Sequence, residues 1–149
     1  MKTHEEFMKV ALDEALKAYQ INEVPIGAIV VCDGEIIAKA HNHKESTQKV
    51  TAHAEILAIE KANEKLKSWR LDSCTLYVTI EPCPMCAGAI IQSRIKEVVY
   101  GSQDIKGGAH QSVVNIFENA FNHRVVVTPN VLKTECKNII QKFFKELRK

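Results

Sequence analysis

The spacing of apolar positions changes along the chain. Phe7, Ala11, Ala15 and Tyr19 recur at helical intervals behind Thr3 and Glu6, which have the spacing of a capping box, so a helix is expected over 3–20. Residues 26–32 and 35–41 are β-rich runs flanking Asp33-Gly34, a pair that supplies positive φ in a tight turn, and they predict an antiparallel hairpin. Helix-like and strand-like runs then alternate: helix 52–66, strand 74–80, helix 83–93, strand 96–100, helix 111–119, strand 124–128 and helix 131–148. Such alternation calls for parallel strands joined by crossover helices covering both faces of a sheet. The expected architecture is α/β: a three-layer α/β/α domain spanning 1–149, with a five-stranded mixed sheet that opens on the hairpin and continues in parallel strands.

That topology places chemistry at one edge, because open α/β sheets bind ligands beyond the carboxyl ends of their strands. The connections expected there are 42–51, Glu81-Pro82, 101–110 and Pro129-Asn130.

Composition narrows the class. The 149 residues are 46% hydrophobic and 26% charged, with six Gly and four Pro, which suits one globular unit and no low-complexity segment. Net charge is only +2, but residues 133–149 carry six cations against Glu135 and Glu146, so the tail is +4 and the remainder −2. Five cysteines, an odd number, argue against a secreted disulfide scaffold. Glu5 and Glu6 stand where a signal peptide would be basic, and no apolar run approaches membrane-spanning length, so a cytoplasmic location without membrane attachment is expected.

Two segments at the expected cleft carry metal-binding chemistry. Thr51-Ala-His53-Ala-Glu55 opens one helix and Glu81-Pro-Cys83-Pro-Met-Cys86 opens the next. An imidazole and two thiolates form three ligands of a tetrahedral zinc site and leave a fourth position for water, the catalytic arrangement. His53 and Glu55, two residues apart, cannot share a helical face, so His53 is expected at the non-helical entry, where the two side chains can converge. Other readings stand beside this one. Cys-x-x-Cys also serves redox chemistry, and a structural zinc site would draw a fourth ligand from Cys74, His41 or His110. Cys32 and Cys136 read as core residues.

The pattern His53-x-Glu55 followed by Pro82-Cys83-x-x-Cys86 resembles the zinc-dependent nucleobase deaminases of the cytidine deaminase-like superfamily. Glu23–Ala28, Ala52–Glu55, Thr75–Thr79, Met85–Gly88, Ser93–Ile95, Val98–Gly101 and Phe121–Arg124 are similar to bacterial tRNA adenosine deaminases, nearly from end to end. The resemblance implies one Zn²⁺ per chain on His53, Cys83 and Cys86, and Glu55 as the proton carrier of a hydrolytic deamination. It also implies a homodimer that converts the wobble adenosine of a tRNA anticodon stem-loop to inosine, with no DNA partner.

The same resemblance implies that Asn42 hydrogen-bonds the target base, that the loop carrying Asp104 and Lys106 contacts RNA, and that the aromatic end of the last helix, Phe144 with its basic neighbours, lies beside the anticodon loop. Read from the residues alone, Asn42 is a turn residue, the 104–108 stretch a solvated loop and the helix stripe mostly core. Pro84 departs from the pattern: Pro-Cys-Pro-Met-Cys also occurs in related guanine deaminases that act on free base. Free-base guanine deamination and a non-catalytic zinc-stabilised RNA-binding module are therefore the competing functions.

Overall fold

A computed structural model describes residues 2–118 and 121–147. The elements are α1 (His4–Gln20), β1 (Gly27–Cys32), β2 (Glu35–His41), α2 (Lys44–Thr47), α3 (Ala54–Leu66), β3 (Cys74–Ile80), α4 (Pro84–Gln92), β4 (Glu97–Ser102), β5 (Val126–Thr128) and α5 (Lys133–Leu147). Thr3 caps α1 by accepting the Glu6 amide at 3.2 Å. Asp33 and Gly34, at φ 52° and 79°, turn β1 into β2 with the handedness a two-residue hairpin requires.

The sheet runs β2-β1-β3-β4-β5. β1 is antiparallel to both neighbours, and β3, β4 and β5 are parallel. Only β1 is reversed, so β2 ends at the same edge as β3, β4 and β5, and the expected cleft forms there.

The side chains of the central strands divide by alternation. Ala28, Val30, Leu76, Val78, Val98 and Tyr100 point into one core with α3 and α4, whereas Ile29, Val31, Tyr77 and Val99 point into a second with α1 and Cys136 of α5. Strands buried on both faces explain why these runs are continuously apolar. Close approach of the layers demands small residues at two points. A Cβ on Gly27 would lie 2.0 Å from the Ala11 carbonyl oxygen, and one on Gly101 would lie 2.3 Å from Cys136 Sγ.

Two differences from the expected elements concern the cleft. The one-turn helix α2 interrupts the 42–51 loop. The helix expected over 111–119 is not formed in the described residues 111–118, which follow turns instead. The amides of His110, Gln111 and Ser112 donate to the Glu81 carboxylate, as the orphan donors of a helix start could, but the bonds that follow lack helical spacing: Val113 and Val114 donate to the Gly108 carbonyl and Ile116 to that of Ala109. Phe117 nevertheless reaches the core. Residue 119 of that expected helix, and Arg148 and Lys149 of the basic tail, lie outside the described residues.

Candidate metal centre

His53 is the N-cap of α3, with φ −78° and ψ 149°, and Cys83 is the N-cap of α4, with φ −76° and ψ 172°. Both side chains therefore leave extended backbone just outside a helix. Cys83 thus precedes the first helical turn on which the sequence seemed to place it. Pro84 occupies the first helical position, where its missing N–H costs nothing, and Cys86 lies in the first turn with its thiol buried. The two helix starts bring His53 Nδ1 to 3.7 Å from Cys83 Sγ and 3.5 Å from Cys86 Sγ.

Those separations test the fit to zinc. With Zn–S of about 2.3 Å and Zn–N of about 2.0–2.1 Å at a tetrahedral angle, sulfur and nitrogen ligands stand about 3.6 Å apart. The three donor atoms all lie within 4.8 Å of one another, so the residues fit the ion with little adjustment. The candidates for a fourth ligand do not join them. Cys74 pairs with Cys32 across β1 and β3, His41 binds the Glu14 carboxylate at 3.0 Å, and His110 Nδ1 binds the Tyr100 hydroxyl at 2.8 Å.

The electrostatics match a thiolate site. The hydrogen bond from the Cys86 thiol, joined by His53, outweighs burial and holds Cys83 at about 4. Cys86 is pushed up by the hydrogen bond it gives Cys83 and by burial, so the pair shares one proton until a cation replaces it. Glu55, in the first turn of α3, is only 3% exposed. Burial raises its carboxyl to about 7, with the Cys83 charge adding to the shift. A carboxyl poised there can accept and return a proton near neutral pH.

Asn42 sits just past β2 and is buried; Oδ1 accepts the Lys44 amide at 3.1 Å and Nδ2 donates to the Val24 carbonyl at 3.4 Å. Its loop is bound to the metal site by the amide of His43 donating to the Ala52 carbonyl at 3.0 Å. Asp104, Lys106 and Phe144 meet elsewhere on the same edge, lining a groove of about 800 Å³ between the β4–β5 loop and α5, together with Lys137 and Lys145. None of His53, Glu55, Cys83, Cys86 or Asn42 lines that groove, so this apolar-and-basic trough is distinct from the metal centre.

Two buried carboxylates that sequence reading overlooked organise the rim. Glu23 accepts the amides of Glu45 and Ser46 at 3.0 and 2.5 Å and so fixes α2. Glu81 accepts the Asp104 amide at 3.2 Å, those of His110 and Gln111 at 2.8 and 3.0 Å, and the Ser112 amide and hydroxyl. Burial pushes both up, but hydrogen bonds, chiefly from Ser46 and Ser112 respectively, outweigh it and hold both below the usual carboxylate value. Their partners lie 22 to 31 residues away in sequence, so neither local stretch carries a signal for them.

Comparison with known proteins places the chain clearly. The MafB19-like deaminase family model matches residues 2–148. A tRNA-specific adenosine deaminase of Bacillus subtilis is 51% identical over all of this chain and 93% of its own. The structure of a tRNA:A34 deaminase, from work on A-to-I editing at the wobble position, superimposes with a TM-score of 0.87 and 45% identity, covering 90% of this chain and 98% of that one. A guanine deaminase of Bacillus subtilis aligns with a TM-score of 0.66 at 33% identity, over 81% and 88% of the two chains.

Proposed function

The chain belongs to the MafB19-like deaminase family, and from that premise we propose that it is a tRNA-specific adenosine deaminase that hydrolyses the wobble adenosine of an anticodon to inosine and ammonia. The observation that carries the reading is His53, Cys83 and Cys86 at zinc-ligand spacing beside the buried Glu55. His53 Nδ1 and the two thiolates would hold one zinc per chain. Zinc in such a site supplies Lewis acidity that brings the pKa of water toward neutrality.

Glu55 takes a proton from the attacking water and delivers it to ring N1 as C6 becomes tetrahedral, and a second transfer releases the amino group as ammonia. Asn42 holds the base; its long bond to the Val24 carbonyl is the contact a bound base would replace. Neighbouring nucleotides, splayed out of the loop, occupy the trough, with Phe144 as a stacking surface and Lys106, Lys137 and Lys145 facing phosphates. Asp104 forms part of the same wall. The reading includes a single deaminase domain over 1–149, a homodimer and a cytoplasmic location; among the described residues no helix is long and apolar enough to cross a membrane.

The guanine reading loses ground within one organism, since the chain is 51% identical to the Bacillus subtilis tRNA enzyme and 33% to its guanine deaminase. The decisive assay offers pure zinc-loaded protein an anticodon stem-loop, free adenosine, guanine and cytidine side by side. Inosine should form in the stem-loop alone; turnover of guanine with an unchanged stem-loop would reverse the assignment.

A further inference from the structure

The turn that carries Cys83 and the loop that walls the trough are separate segments, yet one side chain holds them together. Glu81 is 1% exposed and immediately precedes Pro82-Cys83. Its Oε1 accepts the Asp104 amide and the Ser112 hydroxyl, and its Oε2 accepts the amides of His110, Gln111 and Ser112. Backbone bonds flank this anchor: Glu81 donates to the Ser102 carbonyl at 2.8 Å, and Ala109 donates to the Pro82 carbonyl at 2.8 Å. The loop backbone presses so closely on the carboxylate that a Cβ at Gly108 would stand 2.2 Å from Glu81 Cδ. Asp104, inside the loop, accepts the amides of Lys106 and Gly107 at 3.2 Å each, so the position of Lys106 follows from where Glu81 places Asp104.

We propose that Glu81 is a positioning residue whose carboxylate fastens the 104–112 loop to the metal-ligand turn and so sets the trough wall at a fixed distance from the reacting base. The inference rests on the reading of Asp104 and Lys106 as substrate-contacting. Glu81 touches no reacting atom in this scheme, and it acts through five donors on one loop. A glutamine has the same shape, but its NH₂ cannot accept: in the Oε1 place it loses the Asp104 amide while the Ser112 hydroxyl must reverse to accept from it, and in the Oε2 place it loses the amides of His110, Gln111 and Ser112.

Glu81→Gln and the milder Ser112→Ala are to be compared with wild type for bound zinc, for amide hydrogen exchange over 104–112, and for stem-loop kinetics. Glu81→Gln should keep one zinc per chain, raise exchange at Asp104, His110, Gln111 and Ser112 about tenfold or more, and raise KM for the stem-loop about tenfold with kcat within about twofold of wild type. Ser112→Ala, which removes a single donor, should shift exchange and KM the same way by a smaller factor, and it carries the test if Glu81→Gln does not fold. Unchanged exchange in the variants, or a fall in kcat with KM unmoved, would overturn the proposal. The exchange measurement needs no substrate, so a wild-type protein inactive on the stem-loop would refute the functional reading while this test still returned its own answer.

Discussion

Glu55 and the three metal-ligand candidates lie within one small volume, and single substitutions separate the roles proposed for them. Glu55→Gln preserves shape and replaces none of the three metal-ligand candidates, so zinc content and fold should be retained while turnover falls by about 10²–10⁴, the usual contribution of a positioned proton carrier. Unchanged turnover would remove Glu55 from the mechanism. Cys86→Ala, by contrast, deletes a buried donor and should lose both zinc and activity, as metal analysis of the purified variant would reveal. The placement of these residues was legible in the sequence because it is local: each of the two motifs spans only a few residues at a helix start, and the two-residue spacing of His53 and Glu55 by itself requires the non-helical entry now seen at the α3 N-cap. Glu23 and Glu81 were not legible in the same way. Nothing near either residue in sequence announces a nest of amides, because the donors come from segments brought there by the sheet.

The elements differ in how much of their structure the sequence predicts. α1, the hairpin and the central strands follow from periodicity and turn chemistry, whereas 111–118 has a helical pattern that gives way to turns bonded back to Gly108 and Ala109. α5 is the element where packing and function lie on adjacent residues. Phe143 is 7% exposed and meets the Tyr19 ring at 5.8 Å, while Phe144 is 40% exposed and faces the trough. Phe143→Ala should therefore destabilise the fold by about 3 kcal/mol in denaturant titrations. Phe144→Ala should leave stability within about 1 kcal/mol of wild type but cost the stem-loop about 1–3 kcal/mol of affinity, the worth of one stacked base. The lysines of the same helix make a separate prediction. If Lys137 and Lys145 face phosphates, replacing either by Ala should reduce the slope of log affinity against log salt by about 0.7–0.9, whereas a merely solvated lysine would leave the slope unchanged.

At the scale of the molecule, the carboxyl edge of the sheet is held by three buried acids in addition to apolar contact: Glu14 on His41 at the end of β2, Glu23 on α2, and Glu81 on the β4–β5 loop. Burial pushes each one up, yet hydrogen bonds keep all three below their ordinary 4.5. Since the folded values are lower than the unfolded ones, the stability these groups contribute is fully present above about 4.5 and is lost as pH falls through the folded values. The contribution of these three groups to the thermal midpoint should thus hold steady from neutral pH to about 5 and then decline. Glu23→Gln provides the control, because zinc loss on acidification affects variant and wild type alike. Glutamine cannot satisfy the amides of both Glu45 and Ser46, so at neutral pH the variant should melt below wild type. Once the wild-type carboxyl is protonated it too has lost its anionic acceptor, and the two melting curves should draw together. A gap that stayed constant down to about pH 3 would mean that ionised Glu23 contributes no more than its shape, and that apolar packing holds the edge.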